Sequence, residues 1–105
     1  WNNQCAVTGI ESRELLVASH ILPWQLSDSI QKVDEFNGLA LSPDLDKLFD
    51  KGFISFDDSG FLMIKDSVSR DMLKRLGISE KMAISNLREE HKLYLKLHRD
   101  LFGFK

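Results

Sequence analysis

Cysteine is almost missing from this chain of 105 residues, with Cys5 standing alone. An internal disulfide is therefore impossible, and no zinc–thiolate cluster can form within one chain. The same scarcity points to an intracellular, cytoplasmic home rather than an oxidising one. Cys5 itself is expected to be a small buried residue near a turn. No apolar run reaches the roughly eighteen residues of a membrane span, so no membrane partner is expected. The amino end shows no basic and apolar leader of the secretory kind. Proline is limited to Pro23 and Pro43, and neither an internal repeat nor a low-complexity tract occurs.

What remains is a globular composition. An apolar content of 43%, with 10% aromatic residues, supplies enough material for a core and argues against disorder. The length fits one small domain over residues 1–105, or the terminal module of something longer, with modest stability. A net charge of -2 gives no general attraction to nucleic acid. Its distribution is uneven: residues 1–60 hold ten acids and four bases, whereas residues 61–105 hold six acids and ten bases. Lys92, Lys96 and Arg99 could touch a phosphate backbone, and serve equally well as a solvated helical face.

The pattern predicts an α+β fold. Glu14 to Ile21, with its apolar run Leu15 to Ala18, is too short and continuously apolar for a typical surface helix, which predicts a strand, with helix as the local alternative. Pro23 punctuates the chain, and Trp24 to Phe36 read as an irregular excursion carrying Asp28, Asp34 and Glu35. Leu39-Ala40-Leu41 gives a second strand. Ser42 is placed to cap a short helix, Pro43 fits its first position, and Asp44 and Asp46 favour its first turn. Leu45, Leu48 and Phe49 supply one apolar face, and Gly52 is a stop signal. Phe53 to Phe56 and Phe61 to Ile64 flank a polar, glycine-containing turn and predict a hairpin. Residues 68–76 suggest a short helix closed by Gly77. A longer helix follows, in which Leu87, His91, Tyr94, Leu95 and His98 recur on one side.

Phosphodiester hydrolysis needs an activated water, neutralised phosphoryl oxygens and a stabilised leaving oxygen. Histidine suits the first task because an imidazole ordinarily titrates near neutrality. Carboxylate or amide oxygens suit a hard divalent ion such as magnesium or manganese. His20, closing the first apolar run, is the candidate base, its plainer role being a satisfied histidine beside the sheet. Asp46 is the candidate ligand, against a capping or surface role, with Asp44 as the substitute if the register shifts. Asn37 either approaches the ion indirectly or uses its amide to hold the loop carrying the site. Asp50, four residues beyond Asp46, is a second ligand or a helix-end tie. His91 and His98 either approach the cleft or pack.

These residues sit in segments that resemble the HNH endonuclease family, particularly the branch associated with restriction endonucleases. The similarity runs through Cys5-Ala6-Val7-Thr8-Gly9, Ala18-Ser19-His20-Ile21-Leu22-Pro23-Trp24 and Asn37-Gly38-Leu39-Ala40-Leu41-Ser42-Pro43. It continues from Asp46 to Phe56 and again over Tyr94-Leu95-Lys96-Leu97-His98-Arg99. The resemblance implies a ββα-metal core that grips one divalent ion, Mg2+ or Mn2+, followed by the hairpin and carboxyl-terminal helices. It also implies that His20 is the general base, Asn37 organises the loop and Asp46 binds the metal. Double-stranded DNA is the implied partner, with 5′-phosphate and 3′-hydroxyl products.

Two departures matter. Many relatives carry aspartate or histidine immediately before the base, where this chain has Ser19, a poor ligand. Water and substrate phosphate would then complete the site, and the ion would bind weakly before DNA arrives. The last family position is often histidine or asparagine, where Asp46 stands here. Two other classes compete with the nuclease: a catalytically weak DNA-binding module, and an interaction domain that presents the late helix to a protein. RNA is the weaker substrate because no RNA-reading platform accompanies the core. The chain would be either the cutting domain of a modular enzyme with a separate sequence reader or a nuclease that acts alone with loose specificity.

Overall fold

The computed structural model describes residues 4–104. Val17–His20 (β1) and Gly38–Leu41 (β2) form an antiparallel pair in which Val17 faces Leu41 and His20 faces Gly38. Alternation along a strand then sorts the side chains. Ser19, Leu39 and Leu41 share the buried face, while Ala18, His20 and Ala40 lie on the other. The first strand is shorter than the apolar run predicts, because Arg13–Leu15 turns as a 3-10 segment ahead of it.

Pro43–Asp50 (α1) follows at once. Proline fixes the backbone angle of the first turn, and Asp44 and Asp46 complement the positive end of the helix dipole. Ser42 takes the extended conformation of a capping residue, yet its side chain makes no capping hydrogen bond. Leu45, Leu48 and Phe49 are buried and fasten α1 into the core. The Trp24 to Phe36 excursion is irregular as predicted, although it is built from three short 3-10 turns.

Ile54–Phe56 (β3) and Leu62–Ile64 (β4) form a second, separate hairpin. Arg70–Arg75 (α2) is shorter than the predicted helix, and Ser69 caps it through the Met72 amide. Glu89–Phe102 (α3) is the long terminal helix, and Gly103 ends it in the left-handed conformation. Its buried residues are His91, Tyr94, Leu95 and His98, the face that the spacing predicts.

One apolar cluster runs from Cys5 and Ala6 through Leu39, Phe49 and Phe56 to Leu95. Cys5 is buried beside a turn, as expected. No helix among the described residues is long and apolar enough to cross a membrane. The arrangement is thus hairpin, helix, hairpin and terminal helices, consistent with a ββα core that later elements brace.

Candidate functional site

His20 is the last residue of β1, on the less buried face of that pair. Its Nε2 lies 3.1 Å from the Lys32 carbonyl oxygen. A carbonyl only accepts, so Nε2 carries the proton and, in the neutral ring, Nδ1 keeps the lone pair. The Trp24 ring meets the imidazole edge-on, with centroids 5.3 Å apart. Lys32 in turn places its ammonium 4.6 Å above the Trp24 ring. The excursion therefore folds back on His20 and fixes its tautomer.

Asn37 holds that excursion shut. Its side chain is fully buried, and its Oδ1 accepts from the Leu22 amide at 2.7 Å. Its Nδ2 donates to Ser27 Oγ at 3.2 Å and to the Gln31 carbonyl at 3.0 Å. One amide thus ties the start, middle and far end of the loop together. Burial without these bonds would be costly, so each supports the others. Of the two parts open to Asn37 in the sequence, this geometry supports holding the loop.

His20, Asn37, Asp34 and Glu35 line one cleft of about 260 Å³. Ser19 borders the same cleft, although the residue is buried opposite Leu39. Asp46 is not among the residues lining that cleft. It stands partly exposed in the first turn of α1, the helix that packs on β1. Its carboxylate makes no hydrogen bond or ion pair among the described residues. Asp44 borders a different cavity, beside Thr8 and Met82. Asp50 is exposed at the end of α1, where its charge is felt by His98.

The later histidines pack. His98 is buried, with Nε2 donating to the Phe49 carbonyl and Nδ1 accepting from Ser55 Oγ, both at 2.8 Å. Its ring stacks on Phe49 at 3.8 Å. Burial penalises the charged ring and pulls its pKa down to about 4. His91 accepts from the Arg88 amide at the start of α3 and meets Phe36 edge-on. Burial lowers its pKa as well.

The cations of α3 are paired. Lys92 meets Glu89 and Lys96 meets Asp100 along the helix. Arg99 donates to Asp58 and to the Phe56 carbonyl, both at 2.8 Å, and so ties α3 to the second hairpin.

Two residues gain importance that the sequence did not give them. Asp34 accepts from the Phe36 amide at 3.0 Å and caps the turn that delivers Asn37. Tyr94 donates to the other oxygen of that carboxylate at 2.7 Å. An aspartate two residues before an amide in a polar loop is a readable capping signal. Its tyrosine partner lies sixty residues away and carries no local signal.

A family model described as HNH endonuclease matches residues 5–57, half of the chain. The matched segment includes His20, Asn37 and Asp46, and it spans β1, β2, α1 and β3. No curated protein matches the chain.

Proposed function

Because the chain belongs to the HNH endonuclease family, we propose that it hydrolyses DNA phosphodiester bonds with a divalent ion, Mg2+ or Mn2+. The observation that carries this reading is the coincidence of the family match with a strand-end histidine lining a cleft. His20 is the general base: with Nε2 engaged by the Lys32 carbonyl, Nδ1 is the nitrogen left to take a proton from water. Asn37 is a positioning residue that keeps the Lys32 carbonyl where this tautomer needs it. Exposed Trp24, next to His20 and beneath the Lys32 ammonium, offers a surface for a base or sugar at the cleft edge.

The donor chemistry fits such an ion, since a free carboxylate is a hard oxygen ligand. Asp46 would hold it. When bound, the ion polarises the phosphate and stabilises the departing oxygen. Among the described residues no group of three or more histidine, cysteine, aspartate or glutamate side chains is placed to share an ion. The protein would supply few ligands, with water and phosphate oxygens completing the set, so ion affinity should stay weak until DNA is present. That thin ligand set is also the one observation favouring a second reading, a catalytically weak DNA-binding module.

In this proposal residues 1–105 form one HNH domain that cuts double-stranded DNA in a restriction-related setting, with base recognition left to a separate reader. The resemblance in the segments around His20, Asn37 and Asp46 supports that setting. Incubation of supercoiled plasmid with Mg2+ or Mn2+, with and without EDTA, tests the activity. Nicked or linear products that EDTA abolishes support the nuclease. Plasmid retardation without cleavage by the folded protein supports the weak binding module.

A further inference from the structure

The family match ends at residue 57, but the loop bearing the candidate site is fastened from beyond it. We propose that Tyr94 and Asp34 form a latch by which α3 positions the loop around His20. This inference rests on the nuclease reading for its catalytic consequence, although the latch itself is a matter of structure.

The chain of bonds is continuous. Tyr94 Oη donates to Asp34 Oδ2 at 2.7 Å. Asp34 Oδ1 accepts from the Phe36 amide at 3.0 Å, and the Asp34 carbonyl accepts from the Asn37 amide at 3.0 Å. Asn37 then binds Leu22, Ser27 and Gln31, next to the Lys32 carbonyl that orients His20. His91, one helical turn before Tyr94, packs edge-on against Phe36 at 5.3 Å and supports the same turn.

Three features make this a positioning device. Leu95, beside Tyr94, is fully buried, so the core sets the height of the phenol. A hydrogen bond to a carboxylate is stronger and more directional than a neutral one. Pairing also holds the Asp34 carboxyl below its usual range and pushes the Tyr94 phenol up to about 12, so donor and acceptor keep their parts at neutral pH. Asp34 also lines the cleft, which raises the competing role of an ion ligand. Its two oxygens are already engaged by Phe36 and Tyr94.

Full-length Tyr94→Phe, Asp34→Ala, Asp34→Asn and the Tyr94→Phe/Asp34→Ala double variant separate these roles. Amide hydrogen exchange decides the latch without reference to activity. In Tyr94→Phe, exchange at Leu22 and Asn37 should quicken about tenfold, with Ile54 and Phe56 unchanged. Unaltered exchange at Leu22 and Asn37 overturns the latch.

Cleavage of supercoiled plasmid with Mn2+ gives the catalytic consequence. Tyr94→Phe and Asp34→Ala should each lower kcat about tenfold with little change in KM, and the double variant should lose no more than the worse single one. Asp34→Asn should keep most of the activity, because asparagine retains an oxygen for Phe36 and offers its NH2 to the tyrosine. A dead Asp34→Asn beside an intact Tyr94→Phe overturns the positioning role and makes Asp34 a ligand. If the wild-type protein leaves the plasmid uncut, the nuclease reading fails while the exchange result still decides the latch.

Discussion

His20 ends a strand with one ring nitrogen on a carbonyl and its flank open to a cleft, whereas His98 sits inside α3 with both nitrogens bonded and its ring stacked on Phe49. The same side chain meets opposite surroundings in the two halves of the molecule. In the amino-terminal half, polar groups are arranged around space: Asn37 and Asp34 organise a loop whose Trp24 remains exposed. In the carboxyl-terminal half, polar groups are consumed by packing, and Arg99 spends its donors on Phe56 and Asp58. Chemistry needs a group with unsatisfied capacity, and stability needs groups with none. The chain separates the two along its length.

That contrast is sharpest when the two histidines are removed in turn. His20→Ala should lower plasmid cleavage by about 10²–10⁴-fold while leaving the urea midpoint almost unmoved. His98→Ala should do the reverse, costing about 3 kcal/mol of stability through a lost stack and orphaned partners at Ser55 and Phe49. Urea denaturation beside cleavage at matched folded concentration separates the effects. A His20→Ala protein that unfolds readily, or a stable His98→Ala, would break the contrast.

Acid probes the same pair through linkage. Burial leaves the folded His98 pKa near 4, below the 6.5 of an ordinary histidine, so the unfolded chain binds a proton first as pH falls. Stability present above pH 6.5 should therefore be lost between pH 6.5 and about 4, by on the order of 3 kcal/mol. His98→Ala should flatten that part of the curve, and equilibrium unfolding at several pH values measures it.

A smaller effect tests the seam between the halves. Gly52 ends α1 in the left-handed region, and the Phe102 ring of α3 fills the space where a Cβ would stand. Gly52→Ala should cost about 2 kcal/mol from backbone strain and overpacking together. Unchanged thermal unfolding would mean that Phe102 yields freely. The smallest change is expected at Lys96, whose exposed pair with Asp100 should contribute about 0.5 kcal/mol or less. Lys96→Ala should barely move the melting curve.

The parts legible in the sequence are those with local causes. Proline at the first helical position, acids behind it and three spaced apolar residues announce α1, and the turn Asp57-Asp58-Ser59-Gly60 announces the second hairpin. The inward face of α3 follows from its spacing. What spacing could not show is which partners that face would meet. Ser55 and Phe49 come to His98 from 43 and 49 residues away, and Asp34 comes to Tyr94 from sixty. Such bonds depend on how the elements stack, and no window of sequence contains both ends. For the same reason Asp34 is legible in the sequence only as part of a polar excursion. The strand predicted from Glu14 begins only at Val17, because apolar character alone does not distinguish a strand from a turn, and Leu15 lies exposed in that turn.

In the proposed nuclease, His20 and Asp46 serve one ion at the ββα unit. Titration of Mn2+ into the protein bound to a cleavage-resistant phosphorothioate DNA duplex, followed by paramagnetic broadening of assigned NMR signals, tests it most directly. The expected result is that the His20 and Asp46 signals broaden first, at the lowest Mn2+, and those of Asp57 to Gly60 only later. Broadening centred on another acidic segment, with His20 and Asp46 still sharp, would contradict it.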